Sequence, residues 1–203
     1  MNAETALAAA GGAPEGLEIA QTERAFGFWL YLMTDAIIFA LLFATYVVMA
    51  PNIGSGPAPK SLFSIWHTFG ETMLLLFSSI TFGFATLAMF AKNRPGVLMW
   101  LAVTFVLGAG FVAMELIEFT GMIADGVGPD RSGSASAFFT LVGTHGLHVS
   151  TGLLWIVILG GQVLAKGLTR PVTSRLFRLG LFWHFLDIVW VGIFSVVYLP
   201  GIM

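Results

Sequence analysis

"AFFTLVGTHGLHVSTGLLWIVILG", residues 137–160, decides the fold. It contains no Asp, Glu, Lys or Arg, and at about 1.5 Å per residue a helix of this length crosses the roughly 30 Å hydrocarbon core of a bilayer. Yet His145 and His148 stand three apart in the middle of it. At that depth no water meets polar groups, so the imidazoles need protein partners or a bound group. Their spacing puts them near one helix face with Gly152. Gly146 and Ser150, four apart, are small enough to let another element approach closely.

The same length ruler, carried outward, predicts an all-α membrane protein, a five-helix bundle with spans near 27-49, 69-91, 97-120, 137-164 and 178-199. The breaks agree: "APNIGSGPAPK" (50–60) and "DGVGPDRSGS" (125–134) are rich in turn residues, while "KNRPG" (92–96) and "KGLTRPVTSRLFR" (166–178) are basic. Residues 1–26, with Glu4, Glu15, Glu18 and Glu23 among alanines and glycines, read as a mobile polar arm, and 27–203 as a single transmembrane domain. Arg24, Lys92, Arg94, Lys166, Arg170, Arg175 and Arg178 fall on one side of the bundle, against Lys60 and Arg131 on the other. By the positive-inside rule the N-terminus is cytoplasmic and the C-terminus periplasmic.

Composition agrees with this reading and excludes other classes. The chain of 203 residues is 57% hydrophobic and 10% charged, with net charge -2. It has no basic block of the kind nucleic acid requires. It has no cysteine, which removes disulfides, thiolate metal sites and thiol nucleophiles.

Against that apolar background the polar residues at depth are the candidates for function: Asp35, Glu71, Glu115, Glu118, His145, His148, His184 and Asp187. At about 1.5 Å per residue, His148 and Asp187 fall roughly 17 and 18 Å below the outer ends of their helices and can be level. Asp35 and His184 lie slightly deeper, and Glu71 and Glu115 about a turn below the outer surface, which makes two polar layers. His184, Asp187 and Val191 form a second stripe, and both stripes are expected to face protein. Bis-histidine haem ligation would need His148 paired with His184. A dinuclear carboxylate site would need a Glu-x-x-His motif on each of two helices, whereas here Glu115 pairs with Glu118 and His145 with His148. Hydrogen-bonded fasteners between helices remain the favoured reading. Glu71 in "HTFGETMLLLFSS" and Asp35 in "YLMTDAIIFALLF" stay open between a structural role and a proton-linked one, and Glu71 is also the candidate for a lipid headgroup.

Four segments in order, "FGFWLYLMTDAIIFALLFATY" (26–46), "GETMLLLFSS" (70–79), "AFFTLVGTHGLHVSTGLLW" (137–155) and "FWHFLDIVWVGIFSVVYL" (182–199), resemble subunit III of the haem-copper terminal oxidases. The length, the span count and "GPDRSG" (128–133) are similar to the bacterial bo-type ubiquinol oxidase branch. The resemblance covers nearly the whole chain after residue 25. It implies a partner subunit, with no catalytic or metal-binding residue of its own, in a proton-pumping complex of the bacterial inner membrane that oxidises ubiquinol and reduces oxygen to water. Haem and copper then belong to the catalytic subunit I, against which this chain packs, and phospholipid can be held between its helices. Glu71, Glu115, His145, His148, His184 and Asp187 match the family's embedded polar residues. The chain lacks the two N-terminal helices of the seven-helix version, so a lipid cleft walled by them must be completed by another chain. Subunit III of a cytochrome c oxidase is the alternative within the family. A proton-coupled transporter running along Asp35, His148, His184 and Asp187, or a membrane cytochrome b, are the alternatives outside it.

Overall fold

The structure, a computed structural model, describes residues 3–51 and 65–202. The first connection, including Lys60, lies outside the described residues. There are five long helices: α1 (Ala3–Met49), α2 (Ile65–Phe90), α3 (Arg94–Ala124), α4 (Gly133–Lys166) and α5 (Arg170–Ile193). A π-helical turn, Phe194–Tyr198, and a short α6 (Leu199–Ile202) follow α5. No strand occurs among the described residues. Five segments are long and apolar enough to cross a membrane, Phe26–Met49, Trp66–Phe90, Arg94–Ala124, Gly133–Lys166 and Arg170–Tyr198. Their number is the five expected, and the chain is a multi-pass membrane protein.

The ends of the helices follow from local chemistry. Asn93 accepts from the Gly96 amide at 3.2 Å with Pro95 in the first turn of α3, and Ser132 accepts from the Ala135 amide at 3.1 Å to start α4. Gly167, at φ 68°, ends α4 in the left-handed region that glycine enters without a Cβ penalty. Helix α5 begins at Arg170 with Pro171 in its first turn. Arg175 and Arg178, read from sequence as loop, are therefore helical, their long stems able to carry the charge toward the membrane surface.

By its internal contacts the chain divides into two units, residues 1–38 and 39–203. The division falls inside α1, beyond the boundary near residue 26 that composition suggests. The first unit is one helix, with helical backbone from Ala3, well before its membrane-spanning part starts at Phe26. In the second unit α2 packs against α3 and α5, and α4 against α3 and α5, so these four close a ring. Phe82, Phe111, Leu141, Leu179, Trp183 and Trp190 fill its interior. Outward, Leu87, Val106, Ile117 and Leu147 are all more than 60% exposed, an apolar surface made for acyl chains and not for water.

Candidate functional site

The polar side chains of the second unit occupy two neighbouring levels. At the level near the α3–α4 connection, α2 contributes His67 and Glu71, α3 contributes Glu115 and Glu118, and the π turn contributes Tyr198. The Tyr198 hydroxyl donates to Glu118 Oε2 at 3.0 Å. The His67 Nε2–H donates to the Met114 carbonyl at 3.4 Å and lies 3.5 Å from Glu71 Oε1. Glu71 and Glu115 are almost fully buried, and their carboxyl oxygens make no hydrogen bond among the described residues. The Glu115 carboxyl rests directly on Gly146: a Cβ built there would lie 2.5 Å from both of its oxygens. Gly146 was expected to let another element approach closely, and what approaches it is this buried carboxyl of α3.

At mid-depth the fasteners are hydroxyls, indoles and imidazoles. The Trp183 indole donates to Ser78 Oγ at 3.0 Å, and Ser78 donates onward to the Leu75 carbonyl at 2.7 Å. One layer up, the Trp190 indole donates to Thr72 Oγ1 at 3.2 Å and Thr72 to the Thr68 carbonyl at 2.8 Å. Each chain ties α5 to the backbone of α2, and each satisfies an N–H that lipid cannot. The His145 Nε2–H donates to the Leu186 carbonyl of α5 at 3.3 Å, with its ring edge-on to Phe111 and tilted against Trp190. The His148 Nδ1–H donates to the Thr144 carbonyl of its own helix at 2.8 Å, its ring beside Phe39 and Phe182. Ser79 Oγ and His184 Nδ1 share a hydrogen bond of 2.7 Å, and the same nitrogen lies 3.7 Å from Asp187 Oδ2.

The structure thus gathers seven of the eight candidate residues, Glu71, Glu115, Glu118, His145, His148, His184 and Asp187, into the second unit. Asp35 falls in the first unit, on α1, buried and one turn after Tyr31. Expectation and structure part at the stripes. His145, Gly152 and Asp187 are buried, whereas His148 is half-buried and His184 and Val191 are exposed. The physical reason is helical pitch: at 3.6 residues per turn, a step of three falls about 60° short of a full turn, so stripes at that spacing drift off one face. The two rings that a haem reading would pair have different neighbours, His148 among Phe39 and Phe182 and His184 against Ser79 and Phe82. Among the described residues no three His, Asp or Glu side chains are grouped as a metal ion would need.

Sequence reasoning missed Tyr198, His67 and the two hydroxyl–indole chains. A tyrosine inside a span, and tryptophans one to two turns from each other on α5, are weak signals on their own, and their partners on α2 depend on the register between helices.

Residues 15–202 match the family model described as cytochrome c oxidase subunit III. A chain of Pseudomonas putida named cytochrome bo(3) ubiquinol oxidase subunit 3 is 55% identical over 87% of this chain and 86% of its own. The Pseudomonas aeruginosa chain of the same name is 52% identical over 87% of this chain and 84% of its own. A Bacillus chain named cytochrome c oxidase subunit 3 is 42% identical over 87% and 86%. With a family match that spans the four-helix ring and the first helix alike, this chain belongs to the cytochrome c oxidase subunit III family.

Proposed function

We propose that the chain is subunit III of a bacterial haem-copper quinol oxidase, a complex that oxidises ubiquinol, reduces oxygen to water and pumps protons. The observation that carries the reading is the 55% identity, across 87% of the chain, to a protein named as a bo(3) ubiquinol oxidase subunit. The haems, copper and quinol site are on partner chains, subunit I above all. This chain stabilises the catalytic subunit and supports proton uptake. Asp35, Glu71, Glu115, His145, His148, His184 and Asp187 act as intramembrane fasteners or proton-linked groups, with Glu71 the candidate contact for a lipid headgroup. The complex sits in the cytoplasmic membrane with the N-terminus of this chain inside and its C-terminus outside, as the concentration of Lys92, Arg94, Lys166 and Arg170 at one end of the helices supports.

The test is purification of the tagged chain from its own membranes in mild detergent. The expected result is co-purification of larger membrane chains with a haem absorption spectrum and ubiquinol-driven oxygen consumption. Turnover with reduced cytochrome c and none with ubiquinol would transfer the chain to the cytochrome c branch. Absence of haem from the complex would overturn the reading.

A further inference from the structure

A polar ring stands exposed where lipid would be. His184 is 14 residues from each end of the span Arg170–Tyr198, at its middle, and its side chain is 46% exposed. Among the described residues, the other exposed charged side chains, such as Glu23, Lys92, Arg94, Asp125, Lys166 and Arg175, lie at or near the ends of the spans or in connections. The ring's Nδ1 is engaged by Ser79 and faces Asp187, while Nε2 has no hydrogen-bond partner among the described residues. Exposed hydroxyls elsewhere in the spans, on Thr45, Thr120, Thr140, Thr151 and Ser195, donate back to carbonyls of their own helix. An imidazole nitrogen cannot be satisfied by acyl chains, and ionisable groups at the middle of a span face protein or water.

The surface around His184 has the pattern of a helix seat. Phe177, His184, Ile188 and Val191 are exposed on α5, with the half-buried Leu181 between the first two, at alternating steps of four and three. That is the spacing that presents one face to a second helix. By contrast the groove between α3 and α4, lined by Leu98, Phe105, Ile156, Val157, Gly160 and Leu164, has an apolar wall suited to acyl chains.

We infer that the α5 face centred on His184 is the seat of a transmembrane helix from another chain, which places a hydrogen-bonding side chain against Nε2 at mid-membrane. The inference deepens the proposed function by locating a subunit contact, and rests on it only for the identity of that chain. Ser79 and Asp187 hold the ring in position from behind, so the outward nitrogen is presented in a fixed direction.

The test is photo-cross-linking in native membranes with p-benzoylphenylalanine incorporated at Ile188, 72% exposed and one turn from His184, and, as a control, at Val157, 55% exposed in the apolar groove. The expected result is an adduct from position 188 with a membrane-spanning peptide of a different chain, and lipid adducts from position 157. Lipid adducts alone from position 188, or adducts only with a second copy of this chain, would overturn the inference. A second measurement compares detergent resistance of the complex: His184→Leu is expected to release this chain at a several-fold lower detergent concentration, and His184→Gln to retain it. Retention of His184→Leu equal to the unmodified chain also counts against a polar seat. A complex without haem would sink the oxidase reading, yet leave a peptide adduct at position 188 intact as support for the seat.

Discussion

At Gly108 and Gly180 a missing side chain is used by an aromatic ring from another helix. A Cβ at Gly108 would lie 2.8 Å from Trp183 Cη2 and 3.0 Å from Leu153, and one at Gly180 would lie 2.8 Å from Phe82 Cε1. Rigid rings in a filled interior yield little, and overpacking of this kind costs about 1–3 kcal/mol. Gly108→Ala is therefore expected to lower the thermal inactivation midpoint of the purified complex, whereas Gly160→Ala, with nothing within 4 Å, should leave it unchanged. Trp190→Phe keeps the ring and loses the bond to Thr72. Interhelical hydrogen bonds in membranes average about 0.6 kcal/mol and reach about 1.7, so the shift should be smaller than at Gly108. For Asp187→Asn the expected outcome is weaker attachment of the chain with residual oxidase activity, measured by subunit content against oxygen consumption; full assembly with all activity lost would contradict a fastening role. Glu71→Gln is expected to shorten the period of sustained turnover while leaving the first turnovers intact in rapid-mixing kinetics. The ionisable residues themselves were legible in the sequence because lipid-depth polarity is rare. The partners were not, neither Ser79 of His184 nor Ser78 and Thr72 of the two tryptophans, since these are common residues whose bonds exist only once α2 and α5 are in register.

Among the elements, the helices were legible and their ends were less so. Hydrophobic length alone locates each span. Asn93, Ser132 and Pro171 then extend α3, α4 and α5 beyond their apolar cores, because caps act on the backbone and hydropathy does not register them. The π turn at Phe194–Tyr198 had no signal in the residue pattern. Its wider turn changes the direction of the residues that follow, and Tyr198 ends fully buried against Glu118. Deleting Val196 would shorten that turn and swing Tyr198 by about 100° in a helix of 3.6 residues per turn. The expected loss of thermal stability exceeds that of Tyr198→Phe, which removes only the hydroxyl. Equal losses in the two variants would mean that the π turn serves the hydrogen bond and nothing else.

For the whole molecule, orientation is the testable quantity. If Lys92, Arg94, Lys166 and Arg170 face the cytoplasm, the α3–α4 connection faces outward. A tag inserted at Gly126 should then be reached by protease added to spheroplasts, while one placed after Met1 should be protected until the membrane is opened. Helix length adds a consequence for that outer side. With 31 and 34 residues, α3 and α4 extend to about 46 and 51 Å at 1.5 Å per residue, against a hydrocarbon thickness of roughly 30 Å. If their shared basic end lies at the inner headgroups, as the positive-inside rule has it, the surplus emerges at the opposite end as a crest that rises clear of the bilayer. Such a crest is an epitope: antibody fragments raised against residues 125–132 could grip the complex from outside the cell membrane without touching the lipid-embedded surface through which its chains associate.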